Sequence, residues 1–305
     1  ESINRRINGF LLRPIRSQFV NLWAFSGPFH SLGSDSAHCT PIVNNSKPSG
    51  QYGEILKSRD LLLAVTRCPE LNRATSSSHP CHKIVSCQNN IDVFQLPEPW
   101  TGNLSSAPIL FVSSNPSINI DEAYPTKSWS EGEVVDFFEN RFESNRIWTR
   151  ASPSQARYVL LKDRKSYHDD WVRFWSSARK RSEELLDHPP VPGRDYALTE
   201  VVHCKSEDEE GVSESISICS QKWIEPILEH SNAKIVVLVG ALARDVCSDI
   251  WNIDNSQSVH FNVLAGHRPR AVVILPHPNA RNVPKKISDY ATEEQIRKLR
   301  SLLSK

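Results

Sequence analysis

Three polar segments each close an apolar run, and their residue types could do chemistry together. Val112-Ser113-Ser114-Asn115-Pro116-Ser117 supplies a neutral amide among hydroxyls. Leu275-Pro276-His277-Pro278-Asn279-Ala280-Arg281 supplies an imidazole between prolines, with an arginine close behind. Thr199-Glu200-Val201-Val202-His203-Cys204 puts a carboxyl at the tail of a third run. An amide is too weak a base to take a proton, but it can hold a water in place, and positioning does much of the work when only a weak nucleophile is needed. An imidazole can donate a hydrogen bond to a developing oxyanion. An ionised carboxylate offers only acceptors, whereas a protonated one can also donate. Each residue has a plainer reading as well: Asn is common in a turn before Pro, His277 reads equally as a partly buried loop histidine, and Arg281 as a surface arginine.

The surrounding pattern supplies elements that could bring these segments together. Apolar runs at 109–112, 196–202, 235–239 and 271–275 read as short strands, and 134–142, 171–186, 216–230, 241–250 and 292–303 as helices. Residues 55–65 also have helical spacing. Thr292, with Gln295 three residues on, reads as the N-cap of the closing helix. Strands alternating with helices imply a parallel sheet covered on both faces. Such sheets bind ligands at the carboxyl ends of their strands, and the three polar segments all lie at such ends. Residues 1–55 carry Ser, Pro, Gly and Asn without sustained periodicity and read as an N-terminal extension to a domain at 56–305.

Composition excludes several classes. The chain has 305 residues, 39% apolar and 23% charged, with a formal net charge of +1, so no global basic field points to nucleic acid. The charge is uneven: basic residues cluster at Arg179-Lys180-Arg181 and at Arg281, Lys285 and Lys286, acidic ones at Glu207-Asp208-Glu209-Glu210. No apolar run approaches the ~18 residues of a membrane span. Residues 1–34 lack the pattern of a secretory leader, and the expected location is cytoplasmic. Neither a Walker-type glycine loop nor a GxGxxG fingerprint is present, which argues against ordinary phosphate-cradling folds. Methionine is absent altogether, an unusual composition for this length. Seven cysteines in a cytoplasmic chain are expected to be reduced or metal-bound rather than disulfide-linked.

Taken in order, the polar segments resemble the motifs of the uracil-DNA glycosylase superfamily across residues 68–285. The 112–117 turn is most like the Asn-Pro version of the mismatch-specific branch, and 275–281 is like the His-Pro-Ser-type loop. Thr199 to Cys204, followed by Cys219 and 235–244, is similar to the iron–sulfur branch. The resemblance implies a three-layer α/β/α sandwich around a four-stranded parallel sheet, in a monomeric enzyme that flips a pyrimidine out of DNA and hydrolyses its bond to the sugar. Under it, Asn115 holds a water beneath the anomeric carbon and His277 hydrogen-bonds O2 of the departing base. Ser114, Tyr124 and Glu200 bind the base, Tyr124 by stacking, with Trp129 as its competitor. Ser117, Asn279 and Arg281 contact DNA, Arg281 filling the gap left by the flipped nucleotide. No Lys sits inside a catalytic motif, so the expected product is an abasic site left uncleaved.

Two departures carry specific expectations. Iron–sulfur members have Asn where this chain has Glu200. A carboxyl suits the exocyclic amino group of cytosine, which points to a modified cytosine, with phage DNA as a sensible source and uracil as the alternative. The family's close Cys pair is broken: Cys68 matches its second half, but position 65 is Val. Cys68, Cys81, Cys204 and Cys219 are therefore the expected ligands of a structural [4Fe–4S] cluster, with Cys87 next after Cys81. An insert at 143–191 is longer than usual and carries Arg157, Lys162, Arg164 and Lys165, expected to contact DNA or enclose a bulky base. The rivals are a DNA-binding member without catalysis and a nucleoside-hydrolysing α/β enzyme.

Overall fold

Runs made almost wholly of Val, Ile and Leu leave no polar face, so they belong at the centre of a parallel sheet covered on both sides. The computed structural model, which describes residues 57–90 and 93–304, places them there. The extension expected at 1–55 lies outside the described residues. In chain order the elements are α1 (Ser58–Thr66), α2 (Glu70–Arg73), α3 (His82–Ser86), β1 (Ile109–Ser113), α4 (Glu131–Asn140), β2 (Thr149–Ala151), β3 (Arg157–Val159), α5 (Arg173–Glu183), β4 (Tyr196–Glu200), α6 (Val212–His230), β5 (Ile235–Val239), α7 (Ala241–Trp251), β6 (Val259–Ala265), β7 (Arg268–Leu275) and α8 (Glu293–Leu303).

The main sheet has the order β4-β1-β5-β7-β6, with the first four strands parallel. The expectation of four strands is corrected by a fifth: β6 pairs antiparallel with β7 across the two-residue turn Gly266-His267. Both turn residues have φ of +58°, the left-handed geometry that a tight hairpin requires. A Cβ on Gly266 would also sit 2.5 Å from the Leu228 carbonyl carbon. A bulge between His260 and Val263 interrupts the alternation of β6, which is why its pattern does not read as a strand.

Period-two alternation divides the sheet's side chains between two layers. Leu110, Val112, Ala197, Val236, Leu238 and Val272 pack with residues of α1, α4, α6 and α7. Ile109, Phe111, Leu198, Val237, Val273 and Leu275 pack with Trp175 and Ala178 of α5 and Leu299 of α8. The result is an α/β/α sandwich. The insert contributes the β2–β3 hairpin and α5. No helix among the described residues is long and apolar enough to cross a membrane.

Chain order places a reversal at β1: β4 lies on one side of it and β5 on the other. A crevice opens where strand order reverses in such sheets, at the carboxyl ends. The register sets Ser113, the last residue of β1, beside Glu200, the last of β4. The ladder runs on past both strands, with the N–H of Val201 donating to Ser113 O and that of Val202 to Ser114 O, both at 2.9 Å.

Candidate active site

A cavity of about 610 Å³ opens at this reversal, and its lining includes Ser114, Asn115, Ser117, Glu200, His277 and Asn279. Asn115 follows β1 directly. Its side-chain N–H group donates to Ser206 Oγ at 2.7 Å and to Pro116 O at 3.1 Å. A carbonyl can only accept, so the contact with Pro116 fixes which end of the amide is the NH2 group. No group among the described residues donates to Oδ1, which is left to accept from a water.

His277 reaches the cavity from the loop after β7. Its Nδ1 accepts from the backbone N–H of Asn279 at 3.3 Å, so the neutral ring carries its proton on Nε2, as a donor. Burial holds its pKa below the ordinary histidine value, with Lys285 adding to the effect against Glu209. The ring stacks on Phe174 of α5 at 6.4 Å and 14°. Lys285 Nζ donates to His277 O at 2.9 Å, and Arg181 of α5 donates to Lys285 O. Gly240, at φ +93°, lets this loop come close: a Cβ there would lie 3.4 Å from His277 Cβ.

Glu200 stands in a buried charge network that also reaches the cavity. Arg141 bonds Glu98 Oε1 at 3.2 Å and pairs with Glu122, whose other oxygen lies 3.7 Å from Lys205 Nζ. The Arg141 guanidinium lies 4.6 Å from the ring centres of both Phe137 and Trp175. Glu98, Glu122 and Glu200 thus face two cations, Arg141 and Lys205, which leaves one negative charge in excess if all three ionise. Glu200 is the carboxyl without an ion pair. Ser113 Oγ donates to its Oε1 at 3.2 Å, and its Oε2 is buried with no partner. Burial, then the charge of Glu98, raises its pKa well above the carboxylate range. For Glu98, burial opposes ionisation, but Arg141, Lys205, Thr101 and Tyr124 outweigh it and hold the pKa low. Glu200 is therefore the group that carries the proton.

The Uracil DNA glycosylase superfamily model matches residues 99–300. The chain belongs to this superfamily. DNA glycosylases are hydrolases that bind DNA, and that is the general class of activity the family carries. No curated protein matched the chain.

Other expected site residues of this superfamily member fall elsewhere. Tyr124 is buried outside the cavity: it packs edge-on against Phe137 and Phe138, and its hydroxyl donates to Glu98 Oε2 at 3.1 Å. It borders a neighbouring cavity instead, with the Lys205 ammonium 3.6 Å from its ring centre. Trp129 lines that same neighbouring cavity. Arg281 is exposed and outside the cavity lining. Phe174 and Trp175 are the aromatic residues that do line it. Both come from the insert, where nothing in the helical spacing of 171–186 marked them.

Cys68, Cys81, Cys204 and Cys219 line one small cavity together, whereas Cys87 lies outside it and donates to Ile84 O at 3.0 Å. All are free thiols. Burial pushes the Cys81 thiol up to about 11 and Cys219 up to about 12, and raises Cys68 and Cys204 too; the charges of neighbouring cysteines add to the effect in Cys81, Cys204 and Cys219. No set of three or more His, Cys, Asp or Glu among the described residues is arranged to hold a single metal ion. In number and type, four thiols around one cavity fit the ligands of an iron–sulfur cluster, whose positive irons would supply the charge that thiolates need.

Proposed function

We propose that the protein is a monofunctional DNA glycosylase that hydrolyses the N-glycosidic bond of an extruded, modified cytosine and leaves an abasic site. The observation that carries this reading is the buried carboxyl of Glu200, without an ion pair and with Oε2 unpartnered, lining the same cavity as Asn115 and His277. Cleavage builds positive charge on the sugar and negative charge on the departing base. The free Oδ1 of Asn115 suits a water held for the oxocarbenium-like sugar, where position matters more than basicity. The Nε2–H of His277 suits the oxyanion that develops at O2.

Glu200 supplies what cytosine requires and uracil does not. A neutral carboxyl can accept from the exocyclic amino group and donate to N3. The cytosine anion is a poorer leaving group than the uracil anion, so a proton passed to N3 as the bond breaks lets cytosine leave as a neutral molecule. This is general acid catalysis by a group whose pKa burial has raised. Excision of ordinary cytosine would destroy the host genome, which makes a base modified at C5, as in invading phage DNA, the sensible target.

The deciding experiment measures base release from duplexes carrying uracil, cytosine or 5-substituted cytosines. Release of a 5-substituted cytosine supports the reading. Release of uracil alone overturns it, and DNA binding without release of any base points to a non-catalytic member.

A further inference from the structure

A second cavity, of about 420 Å³, lies against the first. Consecutive residues line different sides of the partition: Asn119 faces the catalytic cleft and Ile120 the second cavity, while Glu122 borders both. The partition is held from two directions. Gln95 pairs with the Asn119 backbone, its Nε2 donating to Asn119 O at 2.5 Å. On the insert side, the N–H of Lys162 donates to Asp121 O and that of Ala123 to Leu160 O, both at 2.8 Å.

The lining of this second cavity has one chemical theme. Trp129 presents a ring, and the Arg164 guanidinium lies 4.6 Å from its centre. Lys162 stands beside it with no ion pair among the described residues, and Arg164 has only a long, exposed pair with Glu133 at 3.8 Å. Ile120 and Val93 leave large apolar side chains in solvent, 53% and 50% exposed. Aromatic or guanidinium faces with cations at the rim suit a planar base on an anionic backbone.

We propose that this cavity holds the unpaired base next to the extruded nucleotide, so that two consecutive nucleotides of one strand are gripped on either side of the 117–122 partition. The base stacks on the Arg164–Trp129 pair, and Lys162 meets its phosphate. The proposal rests on the reading that the cleft takes an extruded base. It makes the protein a reader of single-stranded or locally opened DNA.

The test uses fluorescence anisotropy with the full chain and labelled single-stranded nonamers. The central nucleotide is 5-hydroxymethylcytosine or an abasic analogue, and the neighbouring base on the 5′ or the 3′ side is either present or replaced by an abasic analogue. A stacked base contributes enough that removing the correct neighbour should weaken binding about tenfold. The loss should occur with either central nucleotide. The double variant K162A/R164A, altered only at the cavity rim, should bind the intact nonamer about tenfold more weakly and no longer sense the neighbour. Equal binding with and without both neighbours overturns the proposal. So does a variant that weakens every nonamer alike, which would mean phosphate attraction alone. Because binding is the readout, absence of base release from duplex and single-stranded substrates alike would sink the catalytic reading while leaving this result to stand or fall separately.

Discussion

In the proposed reaction Asn115 and His277 act on the scissile bond with different chemistry, and their removal should show it. Asn115→Ala loses the acceptor that orients water, so kcat for base release should fall about 100-fold or more while the Kd for DNA stays within a few-fold. His277→Ala loses a preorganised donor to the leaving base, and kcat should fall about 10²–10³-fold. Single-turnover kinetics alongside anisotropy separate the two quantities, and a parallel loss of binding and release would argue against these roles. Glu200 gives a prediction with an opposite sign for stability and activity. Its pKa is raised in the folded protein, so the stability it contributes is present below the ordinary carboxylate range and is lost as pH rises, because the unfolded chain ionises and the folded one resists. Glu200→Gln removes that penalty. The variant should melt higher than the parent at pH 8 and match it near pH 4. Its base release should drop, and it should lack the alkaline decline that the parent shows as Glu200 loses its proton. A variant that melts lower at pH 8 would mean that Glu200 is ionised in the fold.

At the scale of elements, the turn after β5 decides where His277 sits. Gly240 has a positive φ of 93° with an extended ψ of 168°, which side chains rarely adopt, and an added Cβ would lie 3.4 Å from His277 Cβ. Gly240→Ala should cost about 1–3 kcal/mol through backbone strain, read as a lower Tm, and should reduce kcat more than it weakens DNA binding. An unchanged kcat would show that the loop tolerates displacement. Elements of this kind were legible from sequence where a local rule governs them. The strand at 235–239 and the Thr292–Gln295 capping box of α8 are placed as expected, because dense β-branched residues and paired capping side chains act over a few residues. β6 escaped because its bulge breaks the alternation. The convergence of Asn115, Glu200 and His277 followed from the rule for strand ends. Tyr124 lies outside the cleft, because its distance from Asn115 in sequence says nothing of which way the ring turns. Glu98, Glu122, Arg141 and Lys205 carry no periodic signal: their charges are tolerable in the core only because they meet one another, and that meeting is tertiary.

At the scale of the whole molecule, the four clustered cysteines connect parts of the chain that share little else. Cys68 lies between α1 and α2, Cys81 directly before α3, Cys204 after β4 and Cys219 within α6. A group bound by all four would tie the N-terminal helices to the sheet edge that carries Glu200 and to the long helix behind it. The proposed hydrolysis has no need of electron transfer, so the group's contribution would be to folding. Protein purified without oxygen should be brown and contain about four irons per chain. Removing the iron with a chelator should lower Tm and loosen residues 57–90, measured by hydrogen exchange, more than it alters the β5–β7 pairing. Cys204→Ser should reproduce the loss of iron, whereas Cys87→Ser, outside the cavity, should retain it. A colourless, iron-free anaerobic preparation with the same Tm as the chelator-treated protein would leave the four as buried thiols, packed as small apolar side chains.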